Sequence, residues 1–565
     1  MKTLEPQTDV TAMAAQSLNA GGEYEQPRFS RRETLLTMAG VLLVMLLASL
    51  DQTIVGTAMP RIIANLNGFD QYTWVTTAYL LTSTVMVPIY GKLSDIFGRK
   101  PIFLVGVVLF LAGSALSGAS QSMTQLILFR GFQGIGAGAL LPIAMTVVGD
   151  LFTARERGKW QGITGAVFGL SAILGPTLGG WIADNLTWRW VFYVNLPIGI
   201  IAMLVLIFLM PSLHAKNRGK VTIDYIGCAL IALGTVPMLL GFTWAGTTYP
   251  WLSWQVLGLI IGGLVVLGLF LMYEIWTERR NAQPILEPSL FKSSIFSVSS
   301  LVTVIFGMGL FGSISFIPLF VQGVQGGSAT NSGIILMPLM LTAMASSIIS
   351  GQLVARFGRY KWLVILSMAI SVVGTYLLFR LGVNSGSLEV LIAMLVLGFG
   401  MGVGMSLYTL IVQNALPQKM AQATASLTFF RQIGATIGLA AMGSVMISAF
   451  PSAFTAALPA SVARALPPKV LSQFSDPNQL LNPVQSTTGP NLPHTPQAMA
   501  LYQQILDTMK QALAQSLHNV FVFCLIVMVA GLISVFFLKE IKLLDKKSKA
   551  KDSEEEEVME VAGMF

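Results

Sequence analysis

Charge is what this chain of 565 residues has least of. Lys and Arg number 34 and Asp and Glu 26, together 11% of the residues, against roughly 25% in soluble domains. A soluble domain of this size would not stay in solution on so little charge, so the net +8 does not mark a nucleic-acid binder. Cysteine is nearly absent. Cys228 and Cys524 fall in different apolar runs, which excludes a secreted disulfide scaffold and predicts no structural disulfide. Of the three histidines, His214, His494 and His518, none stands with Cys or acids at metal-ligand spacing, so no metal site is expected. The phosphate-cradling pattern Gly-x-x-x-x-Gly-Lys-Ser/Thr does not occur. Nor does any catalytic constellation, so the chain is read as a non-enzyme without a cofactor.

What is present is apolar: 54% of the residues, with a mean hydropathy of +0.71. That excludes a disordered chain. The 54 Gly, 32 Phe and 28 Met suit closely packed membrane helices. A spanning helix needs about 20 mostly apolar residues. Residues 225–273 and 293–355 carry no charge at all. Each run holds two spans, the first turning at Gly246–Pro250, the second at Gly326–Asn331. Read this way, the chain predicts fourteen spans: 35–59, 72–91, 101–119, 123–148, 160–182, 190–210, 225–245, 254–276, 295–322, 331–354, 361–380, 388–415, 422–449 and 518–540.

With the N-terminus in the cytoplasm, 26 Lys and Arg fall inside and 6 outside, and Arg130 and Arg431 remain within spans. This bias predicts both termini on the cytoplasmic side. Residues 1–33 are polar and lack the apolar core of a signal peptide. Residues 542–565 form a charged tail. The long outer loop 450–517 begins proline-rich, then shows Met499, Tyr502, Ile505, Leu506, Met509, Leu513 and Leu517 at helical spacing. That stripe predicts an amphipathic helix on the outer membrane surface.

The chain also repeats itself. At an offset of 260 residues, Gly91, Leu93, Phe97, Gly98 and Arg99 recur as Gly351, Leu353, Phe357, Gly358 and Arg359. A looser echo sets Gly134, Gly136 and Gly138 over Gly398, Gly400 and Gly402. The repeat divides the chain into a first six-helix half, 34–210, two inserted helices within 211–292, and a second six-helix half, 293–541. Related parallel halves around a central site are a transporter plan.

Four motifs then carry a resemblance: Leu50-Asp51-Gln52-Thr53-Ile54-Val55 running to Pro60 on span 1, the loop Gly91 to Lys100, Arg130-Gly131-Phe132-Gln133-Gly134 on span 4, and Gly169 through Gly175-Pro176-Thr177-Leu178-Gly179-Gly180 on span 5. With them the chain resembles the 14-helix drug:proton antiporters of the major facilitator superfamily, the EmrB/QacA type, over nearly all of residues 34–541. The resemblance implies an all-α polytopic plasma-membrane protein of the major facilitator fold. It further implies drug export by alternating access, protons as coupling ion, a role for Arg130 in that coupling, and an antiporter-type helix 5 packing across the interface between halves.

The residues bear their own readings. Asp51 is the only acid well inside a span of the first half. Burying it costs roughly 2.5–3.5 kcal/mol on insertion scales, which a proton carrier justifies; the bland reading is a packing device hydrogen-bonded to a neighbouring helix. A dry cavity favours its neutral form, and Arg130 at similar depth favours the charged one, so the two can toggle. Otherwise Arg130 is structural, paired to backbone carbonyls. Gln133 lies one turn on, on the same face. Gly91, Asp95, Gly98, Arg99 and Lys100 form a tight cytoplasmic turn: either topogenic charge, or a latch in which Asp95 faces a helix of the other half while Arg99 pairs with an acid. Ala355 replaces Asp95 in the second copy, so one latch dominates. Gly175, Pro176, Gly179 and Gly180 allow bending and close approach. Arg431 has no intramembrane acid in its half; it binds backbone carbonyls, water or an anionic substrate. Gln52, Trp74, Tyr79, Gln133, Phe168, Met308, Phe311, Phe320 and Phe430 are candidate substrate contacts, because flat apolar ligands favour aromatic and Met linings. The partners expected are the lipid bilayer and small amphipathic substrates, with no nucleic acid. The chain is expected to act as a monomer, and a periplasmic adaptor stays open. The rival readings are export of an endogenous amphiphile such as a lipid or siderophore, and a membrane scaffold or sensor.

Overall fold

Glycine spacing sets how closely the helices of this protein approach, as its computed structural model shows over residues 30–66, 72–211, 224–246, 248–280, 284–326, 329–459, 462 and 496–541. Fourteen helices of 15 residues or more run through the described residues. They are α1 (Arg31–Leu66), α2 (Tyr72–Phe97), α3 (Arg99–Ala119), α4 (Met123–Leu151), α5 (Ala154–Asn185), α6 (Asn195–Leu209, led in by the turn Trp190–Tyr193) and α7 (Tyr225–Trp244). Then follow α8 (Trp254–Arg279), α9 (Ser294–Leu319, ending in the π-turn Phe320–Val324), α10 (Ala329–Phe357), α11 (Lys361–Phe379), α12 (Ser387–Ala415), α13 (Met420–Ala457) and α14 (Pro496–Phe536). No sheet occurs among the described residues.

Local chemistry fixes the helix starts. Ser122, Ser253 and Ser293 accept hydrogen bonds from the backbone N–H groups of Gln125, Val256 and Phe296. Thr153 and Glu156 form a reciprocal capping box at α5. Twelve helices are long and apolar enough to cross a membrane by length and composition. α9 counts as apolar over Ser294–Gly309. α2 is more polar, yet Thr82 and Ser83 donate their hydroxyls to carbonyls of their own helix, at Ala78 and Leu80, which satisfies them away from water.

The packing repeats with a shift of eight helices. α1 lies against α5 and α6, α2 and α3 against α4; correspondingly α9 lies against α13 and α14, α10 and α11 against α12. The glycine echo is the cause. A methyl group added at Gly138 would meet Met86 of α2 at 2.6 Å, and Gly134 faces Tyr79 and Thr82 of the same helix. Gly136, between them, faces Gly106 and Phe110 of α3. In the second set Gly398 and Gly402 face α10 and Gly400 faces Ser371 of α11. Alternate glycines thus let one helix wedge between two neighbours in each half. Gly98 and Gly358 occupy the same place in the repeat, and both take the left-handed backbone region, with φ of 93° and 68°.

The two sets meet along two seams, α5 with α10 and α2 with α13. At the first, Gly158 and Gly351 lie backbone to backbone, a methyl at Gly158 falling 2.8 Å from the Gly351 carbonyl oxygen. Gly162, Gly165 and Gly169 continue this contact along Ser347, Met344 and Met340. At the second seam the α7–α8 hairpin packs over α2 and α13: Ile231, Met238, Leu239 and Phe270 join Leu81, Val87, Ala425 and Phe429 in apolar clusters.

One expectation is overturned. Residues 496–517 do not lie on the membrane surface. They are the first half of α14, continuous with the last span, and Ile505, Met509, Leu513 and Leu517 are fully buried in the core of the second set. An apolar stripe looks the same in sequence whether lipid or another helix covers it. α13 likewise runs on to Ala457, past the expected end of its span. The segments 1–29 and 542–565 and most of the proline-rich stretch lie outside the described residues.

Candidate functional site

Asp51 of α1 is fully buried and none of its hydrogen bonds comes from α1. Arg130 of α4 places Nη1 2.7 Å from Asp51 Oδ2. Gln133, one turn along α4, donates from Nε2 to Asp51 Oδ1 at 3.0 Å and accepts from Arg130 Nη1 at 2.7 Å. Asn195 of α6 donates to the same Oδ1 at 2.9 Å and to Ser114 Oγ of α3 at 3.0 Å. Ser114 in turn donates its hydroxyl to the Phe192 carbonyl oxygen at 2.9 Å. The guanidinium lies over the Tyr79 ring, 4.1 Å from its centroid, with Phe192 at 5.8 Å. Five of the first six helices therefore contribute to one carboxylate. Gly113 of α3 makes the fit possible, since a methyl there would sit 2.5 Å from the Gln133 Cα.

Taking one carboxylate and one guanidinium out of water is costly, and the cost is offset only when the remaining lone pairs and protons are bonded. Here three nitrogens reach the carboxylate. Both charges of the pair are therefore bonded within the dry site. The sequence set Asp51 and Arg130 at one depth with Gln133 a turn away, named Tyr79 only as a substrate contact, and missed Asn195 and Ser114. Asn195 heads the apolar run of α6, and its burial is seen only in the fold.

The other candidates do not gather into one pocket. Gln52 follows Asp51 and is half-buried. Trp74 meets Trp244 of α7 edge-on at 6.2 Å. Phe168 packs against the apolar core of the first half. Phe320 is buried in the core of the second half, and Phe430 stacks edge-on to Phe291. Met308 lies where Gly438 presses against α9. The side chain of Phe311 lies outside the described residues. Arg431 is half-buried beside Thr303, Phe306, Tyr408 and Thr428, and makes no ion pair or hydrogen bond with any described residue.

Two contact expectations are corrected. Gly175 does not approach the other half. It faces Thr53 and Ile54 of α1, while Gly158 to Gly169 on the same helix make the contact across the seam. Gly180 has nothing within 4 Å, Gly179 is buried, and the Pro176 side chain lies outside the described residues. Asp95 does not reach across either. It takes Arg99 Nη1 at 2.6 Å, while Arg99 Nε binds Asp150 of α4 at 2.9 Å, and Lys100 caps α6 through the carbonyls of Ile207 and Met210 at 2.8 and 2.7 Å. The loop is thus a brace within the first half. At this end the halves join through Gly91 against Ala425, at 2.5 Å for an added methyl, and through Gln413 Nε2 donating to the Met145 carbonyl at 3.1 Å.

Paired six-helix sets joined along two seams, the first set holding a buried ion pair, define a secondary-transporter fold. The Major Facilitator Superfamily model matches residues 41–224 and 223–439, and the chain belongs to that superfamily, a class of transporters rather than enzymes. It is 40% identical over 536 residues to the Multidrug transporter protein MdtP of Bacillus subtilis (strain 168), covering 94% of this chain and 96% of that one. Multidrug resistance protein 3 of the same organism is 35% identical, covering 89% and 95%. An Acurin A biosynthesis cluster MFS-type transporter of Aspergillus aculeatus is 33% identical over 405 residues, 70% of this chain and 72% of that one. Among solved structures, the human organic anion transporter MFSD10 (TETRAN) shares the fold with a TM-score of 0.55 at 14% identity, covering 88% of this chain and 99% of that one. The protein is a multi-pass transporter of the plasma membrane.

Proposed function

We propose that this protein exports amphipathic, drug-like molecules in exchange for protons. Its halves, 34–210 and 293–541, alternate access to a central site, with Asp51 as the proton carrier and Arg130 as its release. The reading rests on one observation above others: a carboxylate buried completely, bonded to Arg130, Gln133 and Asn195 from three other positions on two helices. A proton on Asp51 removes the charge that holds Arg130. Its departure restores the ion pair. The printed names of the bacterial relatives support drugs as cargo, and that of the fungal relative favours an endogenous natural product as the second reading. A membrane potential of 100 mV supplies about 2.3 kcal/mol per charge moved, enough for a gradient of order 50-fold. We place both termini and the Arg99 end in the cytoplasm, and the chain works as a monomer.

The test is export driven by an imposed pH gradient in proteoliposomes. Asp51→Asn is expected to keep downhill exchange and lose uphill export; pumping at the wild-type rate removes Asp51 from the mechanism. For orientation, a cysteine at Thr248, which is exposed in the α7–α8 turn, is expected to react with an impermeant thiol reagent added outside intact cells. One at Arg279 is not, and the reverse pattern overturns the placement.

A further inference from the structure

The α7–α8 hairpin carries a second buried acid that the central site does not use. Glu274 of α8 is fully buried, and neither of its carboxylate oxygens has a hydrogen-bond partner among the described residues. The backbones of Ile285 and Leu286 lie beside it without reaching hydrogen-bond geometry. Asp224, the residue that caps α7, faces it. Asp224 Oδ1 is satisfied by the Gly227 N–H at 2.8 Å and the Tyr273 hydroxyl at 3.1 Å, whereas Oδ2 is bare. A methyl added at Gly227 would meet both Asp224 Oδ2 and Glu274 Oε1, the latter at 2.6 Å. The two bare oxygens therefore flank one point and lie within roughly 5 Å of each other, a range in which two carboxylates resist ionising together.

Among the described residues, the charged and titratable groups facing this pair are as follows. On α8 it is Tyr273 and on α7 it is Cys228, both beside Asp224 and Glu274. From α2 the nearest charge is Lys92, with Asp95 behind it. The connector before α9 supplies Glu287, which sits 3.9 Å from Lys92 and also pairs with Lys419 at the start of α13. Lys92 thus stands between Glu274 and Glu287, at the seam where Gly91 touches Ala425.

We propose that Glu274 and Asp224 form a second proton-binding pair, which holds one proton between them while the Arg99 end of the protein is closed. The inference stands on the hairpin and not on Asp51. Asp224 Oδ1 already takes two donors, so the shared proton resides on Glu274, directed to the bare Asp224 Oδ2. When α2 and α13 part, Lys92 is drawn from Glu287 and Lys419 and water reaches the pair. The proton then leaves Glu274 for that water, and Lys92 compensates the carboxylate left behind. The reverse step reseals the end. The hairpin thereby becomes a proton-sensitive clasp over the seam, with no new ligand besides the proton.

The experiment is infrared difference spectroscopy of the purified protein, titrated from acid to alkaline pH, following the C=O stretch of protonated carboxylic acid. Wild type is expected to show a protonated-acid band that disappears as the pH rises. Glu274→Gln abolishes it, and Asp224→Asn, which removes the facing charge, moves its midpoint to lower pH. Asp51→Asn leaves this band in place, so failure of the central mechanism and failure of the clasp are told apart. If Glu274→Gln does not fold, the shift in Asp224→Asn decides. An unchanged band in either variant overturns the proposal.

Discussion

Arg130 and Arg431 are the two arginines that the sequence leaves within spans, one in each half, and their surroundings are opposites. Arg130 is fully enclosed, with a carboxylate, an amide oxygen, a backbone carbonyl and an aromatic face all committed to it. Arg431 is half-buried among threonines and rings with no partner among the described residues. The helical scaffold repeats, but the electrostatics do not. Close packing is needed in both halves and is reproduced glycine by glycine, whereas an ion pair costs desolvation wherever it is placed and is spent in one half alone.

That contrast breaks most sharply under removal of the acid. Asp51→Ala strands the Arg130 guanidinium in a dry site and is expected to destabilise the protein by about 3–5 kcal/mol, read as thermal unfolding in detergent. Adding Arg130→Leu to it is expected to recover much of this without restoring uphill export. Arg431→Leu strands nothing and leaves stability close to wild type. Equal losses from Asp51→Ala and Arg431→Leu end the comparison. Asn195→Ala tests the network at its unforeseen member. Loss of one hydrogen bond to a charged group is expected to cost about 1.5–3 kcal/mol, with weaker proton-driven export.

The seam between the halves gives the next step down. Gly158→Leu drives a side chain into the Gly351 carbonyl and is expected to stop the closed end from forming, so transport is lost while the protein still inserts. Gly180→Leu, at an open position on the same helix, is expected to transport normally. If both behave alike, the α5–α10 contact is not a gate. The smallest effect belongs to the loop at Arg99. Asp95→Asn leaves Arg99 its second acid, Asp150, and is expected to slow transport only a few-fold.

Much of this was legible in the chain. Fourteen apolar runs, the loop repeat and the Gly-x-Gly-x-Gly echo follow from lengths and spacings that a bilayer imposes. Asp51 and Arg130 were legible because an intramembrane charge is expensive enough to stand out. Asn195 was not, because a neutral amide at the head of an apolar helix carries no such penalty until its neighbours are known. The target of Gly175 and the burial of Leu513 failed for a shared reason: small or apolar residues announce that something packs there, never what. The pairing of Glu274 with Asp224 lay hidden because 50 residues separate them, and only the folded hairpin joins them.

The hairpin lies along one seam and leaves the other bare. The two seams of an otherwise paired machine are therefore not interchangeable: the one between α2 and α13 is backed by a further layer of helix, while the one between α5 and α10 relies on the close approach of its own glycines.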